Sequence, residues 1–173
     1  ILAAGQGTRM KSNKAKVLHQ IGGKSLLQHV VDAINPLSAS INIVIGNDAE
    51  LVKNSINNHS INWVLQKKQL GTGHAVQQAT SNINDEATCV ILYGDVPLFS
   101  TNTIKSLISK SESTGFSLLS VILDNPTGYG RIIRDKNKLI KAIVEDKDTN
   151  RQEQKIDEIN TGIMAIQGFL LKK

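Results

Sequence analysis

The sequence predicts an α/β domain in which helices flank a mainly parallel sheet and a β-hairpin is inserted in the second half. Apolar runs of strand length recur, and stretches with a helical spacing of apolar residues separate the early ones. Because strands that alternate with helices form right-handed βαβ units, this order favours a parallel sheet. After residue 124 the pattern changes to two short apolar segments around a turn. The chain of 173 residues is long enough for one domain with a sizeable core.

Five apolar segments are predicted to be strands: residues 41–45, 61–65, 89–93, 116–123 and 162–166. Each is short and bounded by polar or glycine residues, as expected of strands in a sheet core. The chain opens on Ile1-Leu2, which we expect to lie inside a further strand. Because the chain starts there and stops as a helix begins at residues 169–173, we expect a domain truncated at both ends.

Helices are predicted over residues 25–34, 48–56, 73–80 and 101–111. The first carries apolar residues at helical spacing, and Asp48 is a candidate N-cap for the second. Residues 130–134 and 138–144 are predicted to pair as a hairpin around Asp135-Lys136-Asn137. We expect this hairpin to leave the main sheet and cover one side of the functional site.

Composition excludes several classes of protein. No apolar run approaches the roughly 18–20 residues of a membrane-spanning helix, and no basic and apolar leader is present. The single cysteine, Cys89, has no partner for an internal disulfide, which fits a reducing compartment. We therefore expect a cytoplasmic protein without a membrane partner.

The positive charge is concentrated near the start of the chain. Residues 1–74 contain eight Lys or Arg and three Asp or Glu, which equals the net charge of +5 for the whole chain. Four of the cations, Arg9, Lys11, Lys14 and Lys16, fall within eight positions that contain no acid. Aromatic residues make up 3% of the chain, so few platforms exist for stacking nucleic-acid bases. The distribution favours a phosphate ligand over a nucleic-acid partner.

The first candidate motif is LAAGQGTRM at residues 2–10, followed by Lys16-Val17-Leu18. A strand that ends in small residues and two glycines lets backbone N–H groups approach a phosphate, whose charge Arg9 and Lys16 would neutralise. The motif lacks the Gly-Lys-Ser/Thr ending of a Walker loop, and Met10 stands where the dinucleotide pattern needs a third glycine. Taken alone, an ordinary strand-to-helix turn explains it equally well.

The second motif is LYGDVPL at residues 92–98, at the end of a very apolar strand. Asp95 would stand on the carboxyl edge of the sheet, where open α/β folds bind ligands. One carboxylate suits Mg²⁺, which often takes one or two protein oxygens together with substrate phosphates and water. The alternative is an aspartate that opens a turn before Pro97.

Four further motifs combine polar side chains with glycines near the predicted edges of strands and helices. They are Gln66 with LGTGHA at residues 70–75, PTGYGR at residues 126–131, Glu145, and EINTG at residues 158–162. Each alone is typical of turns. Together with the first two motifs, they make the chain resemble the nucleotide-diphosphate-sugar pyrophosphorylase family from residue 2 to about residue 166. QLGTGHA, YGDVPL, PTGYGRI, VEDKD and EINTGI resemble most closely its N-acetylglucosamine-1-phosphate uridylyltransferases.

This resemblance implies a Rossmann-like nucleotidyltransferase domain that converts UTP and N-acetylglucosamine 1-phosphate to UDP-N-acetylglucosamine and pyrophosphate. Leu2, Ala3, Ala4 and Gly5 would hold the nucleotide through backbone groups, and Arg9 and Lys16 would bind its phosphates. Gln66, Gly71 and Thr72 would contact uracil and ribose, with Tyr93 and Gly94 lining the pocket. Asp95 would bind Mg²⁺. Gly130, Glu145 and Asn160 would hold the amino sugar.

The same resemblance sets expectations for the rest of the protein. The family usually has proline at the position of Ala15, and its second magnesium ligand is an asparagine further downstream than this chain extends. A left-handed β-helix acetyltransferase domain would follow and would make the full-length protein a homotrimer. No histidine is needed for catalysis, and His74 is expected to start a helix or pack beside the pocket.

Three alternatives stay open at this stage. The chain could be a related nucleotidyltransferase for another sugar phosphate or nucleotide. It could be a catalytically weak nucleotide-binding fragment on the same fold. The basic charge also leaves open an RNA-binding module, whose binding of RNA would be sensitive to salt and would not be displaced by UTP.

Overall fold

A computed structural model describes residues 1–5, 7, 12, 14–46, 48–57 and 60–173. The chain divides into two compact units. Unit 1 comprises Ile1–Ser117 and Ala165–Lys173, and unit 2 comprises Leu118–Met164. Two strands cross the boundary: β6 (Phe116–Ile122) and β9 (Glu158–Gln167).

Unit 1 contains the alternating strands and helices. In chain order these are β1 (Gln20–Ile21), β2 (Lys24–Ser25), α1 (Leu26–Ile34), β3 (Ile41–Ile45), α2 (Ala49–Asn54), β4 (Ile61–Leu65), α3 (Thr72–Ala79), β5 (Thr88–Ile91), α4 (Thr101–Glu112) and α5 (Gly168–Leu171).

The strand pairs of unit 1 that carry the site are parallel. β3 and β4 pair from Ile41 opposite Ile61 to Ile45 opposite Leu65. Leu2 bridges to Val44 on one side and to Tyr93 on the other, both in the parallel sense. Ile43, Val44 and Ile45 are almost completely buried, which is typical of a parallel strand covered on both faces. The first residues of the chain therefore lie between two parallel neighbours, and Leu2 forms isolated bridges where the sequence predicts a strand.

Helices α1 and α4 begin at serine caps. Ser25 Oγ accepts a hydrogen bond from the Gln28 N–H at 3.1 Å, and Ser100 Oγ accepts one from the Thr103 N–H at 3.1 Å. Each cap satisfies a backbone donor that the helix itself leaves unpaired. The buried residues of α1 recur at helical spacing: Leu26, Leu27, Val30, Val31 and Ile34. This apolar stripe stabilises the helix by packing into the core of unit 1.

Unit 2 is antiparallel. It contains β7 (Arg131–Arg134) and β8 (Ile140–Val144), which pair as a hairpin, while β9 lies on the other side of β7 and also pairs with β6. At the hairpin turn, Asp135 Oδ1 accepts from the N–H groups of Asn137 and Leu139, and Lys138 has a φ of 64°. Ile132, Ile159 and Ile163 are buried within unit 2.

The predicted α/β fold, the pairing of the hairpin strands and the main elements are confirmed, with three differences. The expectation that the hairpin leaves the sheet is wrong, because β5, β9, β7 and β8 are neighbours in this order in one sheet. The β1–β2 hairpin was not predicted, because two-residue strands around Gly22-Gly23 carry no alternating apolar pattern. β9 begins at Glu158, four residues before the predicted start, since its first residues are polar and pair within unit 2. Among the described residues, no helix is long and apolar enough to cross a membrane.

Candidate functional site

Unit 1 contains a cavity of about 440 Å³ that we call the unit 1 pocket. Its walls come from the end of the first parallel segment, the 3₁₀ turn at Lys16–Leu18, the region between β4 and α3, and the loop after β5. Ten residues that the sequence nominated line it: Leu2, Ala3, Ala4, Gly5, Lys16, Gln66, Gly71, Thr72, Tyr93 and Asp95. Segments far apart in the chain meet here because parallel strands bring their carboxyl ends to one edge.

The floor of the pocket is formed by Ala3, Ala4 and Gly5, which follow Leu2 and which we call the small-residue segment. Backbone hydrogen bonds join the Ala3 N–H to Val44 O at 2.8 Å and the Gly94 N–H to Leu2 O at 2.9 Å. A further hydrogen bond fixes Ala4, whose carbonyl oxygen accepts from Gln69 Nε2 at 2.7 Å. Short side chains leave the backbone of this segment accessible to a ligand, as close approach to a phosphate or a base requires.

Gly94 lies beneath the pocket wall and does not line it. A Cβ at this position would lie 3.0 Å from Leu27 Cδ1 and 3.2 Å from Val17 Cγ1. The structure therefore explains the glycine by packing. Arg9, the other predicted phosphate ligand, lies outside the described residues.

Lys16 and Asp95 both line the pocket and form a salt bridge with each other. Lys16 Nζ lies 2.6 Å from Asp95 Oδ2, and the two side chains are 40% and 24% exposed. Both therefore remain accessible to a ligand in the pocket. A partly exposed ion pair of this kind adds little to folding stability. The arrangement offers one cation for a phosphate and one carboxylate for a metal ion.

Gln66 is the most buried polar side chain of the pocket, with 4% of its surface exposed. Its backbone N–H donates to Ile45 O at 2.8 Å, which fixes the residue at the end of β4. Its side-chain Nε2 lies 3.2 Å from Gly71 O and 2.9 Å from His74 Nδ1. Gly71 has a φ of 102°, a left-handed conformation that favours glycine at the start of α3.

Gly130, Glu145 and Asn160 come together within unit 2, and we call them the Gly130 cluster. The Asn160 N–H donates to Gly130 O at 2.8 Å, and a Cβ on Gly130 would lie 3.5 Å from Glu145 Oε1. Asn160 Oδ1 accepts from the Gly162 N–H at 2.8 Å.

Arg131 supports the Gly130 cluster from within unit 2. Its side chain is buried, donates to the carbonyl of Tyr129, and pairs with Asp146 Oδ1 at 2.9 Å. Because Asp146 follows Glu145 directly, this ion pair ties the segment that carries Glu145 to β7.

The site offers little support for catalysis by a side-chain nucleophile or a metal cluster. Among the described residues, no group of three or more His, Cys, Asp or Glu side chains is placed to hold a metal ion. Burial raises the pKa of the Cys89 thiol, which disfavours the reactive thiolate. A single carboxylate such as Asp95 fits a metal ion such as Mg²⁺, because substrate phosphates can complete the coordination of that ion.

Sequence reasoning missed Gln69 as a pocket residue and did not assign His74 its contact with Gln66. Both act through hydrogen bonds to segments that are adjacent only in the fold. Their positions inside and beside the LGTGHA segment were the only signal available from the sequence.

Comparison with known families decides the classification. Residues 1–146 match the sequence model of the MobA-like NTP transferase domain. The chain belongs to the MobA-like NTP transferase family. The nucleotidyltransferase resemblance predicted from the motifs is thereby confirmed.

Curated relatives of this MobA-like NTP transferase domain include the bifunctional protein GlmU of Vesicomyosocius okutanii subsp. Calyptogena okutanii, which is 54% identical over 173 residues. The bifunctional protein GlmU of Marinobacter nauticus is 49% identical over 174 residues. Both alignments cover 100% of this chain but 38% of the relative. The chain thus spans somewhat more than a third of the length of these relatives.

Solved structures share the fold of this MobA-like NTP transferase domain at lower identity. HddC from Yersinia pseudotuberculosis, complexed with GMP-PN, is 22% identical with a TM-score of 0.73, over 99% of this chain and 77% of that one. An apo UDP-glucose pyrophosphorylase is 19% identical with a TM-score of 0.77, over the same shares of the two chains. The predicted Rossmann-like α/β fold is confirmed by these neighbours.

Proposed function

We propose that this chain transfers the uridylyl group of UTP to N-acetylglucosamine 1-phosphate, giving UDP-N-acetylglucosamine and pyrophosphate for cell-wall precursor synthesis. The observation that carries the proposal is the unit 1 pocket. It brings the small-residue segment, the Gln66–Thr72 region and the Lys16–Asp95 pair to one sheet edge. Identity of 49–54% to GlmU proteins along the whole chain supports this choice of substrates.

The nucleotide is proposed to lie in the unit 1 pocket. Its base and ribose contact Gln66, Gly71 and Thr72, while Leu2, Ala3, Ala4 and Gly5 hold it through backbone groups. Tyr93 lines the pocket and Gly94 supports it from beneath. The cavity of about 440 Å³ lies within the usual range for small-molecule sites.

The triphosphate is proposed to contact Lys16 and Arg9, whose charges would offset the negative charge of the transferring group. Asp95 is proposed to hold Mg²⁺, which when bound would neutralise phosphate charge. Lys16 and Asp95 are 2.6 Å apart and accessible, which supports a role for both at the phosphates, Lys16 directly and Asp95 through the metal ion.

The sugar phosphate is proposed to bind through Gly130, Glu145 and Asn160. A carboxylate and a carboxamide beside a glycine suit the hydroxyl and acetamido groups of an amino sugar. In unit 2, the buried Arg131 restrains the segment that carries Glu145, so this carboxylate is held in place before the ligand arrives.

The reaction needs no activated side chain. A phosphate oxygen of the sugar phosphate attacks the α-phosphorus of UTP and forms a new P–O bond. The bond to the bridging oxygen between the α- and β-phosphates breaks, and its electron pair leaves with pyrophosphate. Because the nucleophile is already an anion, the residues of this chain contribute by positioning the substrates and stabilising charge.

The full-length protein is proposed to be cytoplasmic and to carry a left-handed β-helix acetyltransferase domain after residues 1–173, through which it forms a homotrimer. The relatives' name, bifunctional protein, and the 38% of their length that the chain spans support a longer protein with a second activity.

Replacing Asp95 by Asn tests the proposal in the full-length protein. Pyrophosphate release from UTP and N-acetylglucosamine 1-phosphate is measured over a titration of Mg²⁺. We expect turnover to fall by about 10²–10³-fold, as when one charge-stabilising group is removed from an active site. Glu86→Gln, an exposed acid of unit 1, is the matched control and should keep wild-type turnover.

Wild-type turnover in Asp95→Asn would contradict the role of Asp95. A nucleotide and sugar-phosphate panel in the same assay separates the runner-up functions. Preference for another nucleotide or sugar would favour a related nucleotidyltransferase. Nucleotide binding without pyrophosphate release would favour a catalytically weak nucleotide-binding protein.

A further inference from the structure

The side-chain amide of Gln66 has one favoured orientation in this structure. Its nitrogen lies 3.2 Å from the carbonyl oxygen of Gly71. A carbonyl can only accept a hydrogen bond, so the amide atom that faces it must be the NH₂ group. The orientation therefore follows from chemistry and does not depend on how the two amide atoms are told apart.

The second hydrogen of the same NH₂ group points to His74. Gln66 Nε2 lies 2.9 Å from His74 Nδ1, so Nδ1 must be unprotonated to accept it. The other ring nitrogen lies 3.3 Å from the amide nitrogen of Gln78, an exposed side chain whose amide can rotate. Because Gln66 is 4% exposed and Gly71 O orients its amide, this contact assigns Nδ1 as the ring nitrogen that accepts.

With both hydrogens of Nε2 used inside the protein, Gln66 offers a ligand its oxygen. No donor among the described residues reaches Oε1, and Gln66 lines the unit 1 pocket. An acceptor fixed at this point pairs with a base that carries an N–H donor. Uracil has such a donor at N3, whereas cytosine has an acceptor there.

We propose that His74 is a positioning residue that selects uracil over cytosine by locking the Gln66 amide with its oxygen toward the pocket. The inference rests on the proposed function, because it takes the unit 1 pocket as the nucleotide site. Without the His74 contact, only the weaker contact with Gly71 O restrains the amide. The flipped orientation then costs the Gly71 contact alone, and a hydrogen bond from the NH₂ group to the N3 atom of cytosine offsets that cost.

The test measures the ratio of the dissociation constants for CTP and UTP by titration calorimetry on the full-length protein. His74→Leu removes the acceptor. We expect UTP binding to weaken about three- to tenfold, the worth of one hydrogen bond, and the preference for UTP over CTP to fall by at least that factor. A residue needed only for packing would weaken both nucleotides equally and leave the ratio unchanged.

Two further variants make the result specific. In His74→Asn the side-chain oxygen takes the place of Nδ1 and still accepts from Gln66, so the preference for UTP should return. Gln78→Leu removes the partner on the other, exposed side of the ring and should leave the preference as in the wild type. Thermal unfolding of each variant confirms that it is folded.

The inference is overturned if His74→Leu keeps the wild-type preference, if His74→Asn fails to restore it, or if Gln78→Leu loses it as well. These results are separable from the proposed function, because binding is measured without turnover. If the wild-type protein transfers uridylyl and His74→Leu keeps the preference for UTP, the inference alone is contradicted. If the preference falls in His74→Leu as expected but the wild-type protein does not transfer uridylyl, the proposed function alone is contradicted.

Discussion

At the scale of single residues, the unit 1 pocket depends on how closely backbone segments approach one another. Gly46, directly after β3, is an example. A Cβ on this residue would lie 2.7 Å from Ala4 O and 3.0 Å from Gln69 Nε2, the two atoms whose hydrogen bond fixes Ala4. The absence of a side chain at Gly46 is therefore required for the pocket floor to take its observed position.

Gly46→Ala should lower the free energy of unfolding by about 1–3 kcal/mol, because the added methyl group must displace backbone or break the Gln69 contact. Urea unfolding measures the change. Gly73→Ala is the matched control, since a Cβ there meets nothing within 4 Å and alanine favours helix α3. Gly73→Ala should be neutral or stabilising by up to about 1 kcal/mol. Equal effects of the two substitutions would contradict this explanation.

Single residues also show how far sequence reasoning reaches. The glycines and charged groups of the motifs were recognisable because few residue types can serve a phosphate or a tight turn. His74 was not assigned its contact, because its acceptor role depends on a hydrogen bond to Gln66, eight residues earlier and on another element. Such a contact becomes visible only when β4 and the start of α3 are placed side by side.

At the scale of secondary-structure elements, β7 and β9 are joined by a charged link within unit 2. Arg134 Nε donates to Glu158 Oε2 at 2.7 Å, Arg134 NH2 donates to Glu158 Oε1 at 2.6 Å, and Ser120 Oγ donates to the same oxygen at 2.6 Å. The hydrogen bonds from Arg134 lower the pKa of Glu158 below its ordinary value of 4.5. Strand β9 is thus held at its first residue to both β7 and β6.

Glu158→Gln should destabilise the protein by about 1–3 kcal/mol at pH 7, where the carboxylate is charged and accepts these bonds. Because the folded pKa is the lower one, the stabilisation is present above about pH 4.5 and is lost as the pH falls through the folded pKa. Urea unfolding from pH 7 downward should therefore show the difference between the two proteins beginning to shrink below about pH 4.5. The exposed Glu112→Gln serves as the control. A difference between wild type and Glu158→Gln that stays constant with pH would contradict the link.

The elements differ in how well the sequence predicts them. Helix α1 was predictable because its buried residues repeat at helical spacing and Ser25 supplies a cap. The start of β9 was not, because Glu158 and Asn160 are polar and face partners in unit 2 that only the fold supplies. The β1–β2 hairpin has two residues in each strand, too few for any period to show.

At the scale of the whole molecule, the position of the positive charge along the chain agrees with substrates that carry phosphate. The net charge of +5 equals the excess in the first 74 residues, which include Lys16 and the cations around the phosphate motif. Lys16 lies in the unit 1 pocket, whereas the Gly130 cluster belongs to unit 2. The proposed nucleotide and sugar contacts thus fall in separate units, a division that the sequence did not predict.

The most direct measurement of the central claim follows the α-phosphate of UTP. Full-length protein is incubated with N-acetylglucosamine 1-phosphate, Mg²⁺ and UTP labelled at its α-phosphorus, and the products are separated. We predict that the label appears in UDP-N-acetylglucosamine in step with the release of unlabelled pyrophosphate, and that both depend on the sugar phosphate. Label that stays in UTP, or pyrophosphate released without labelled sugar nucleotide, would contradict the account.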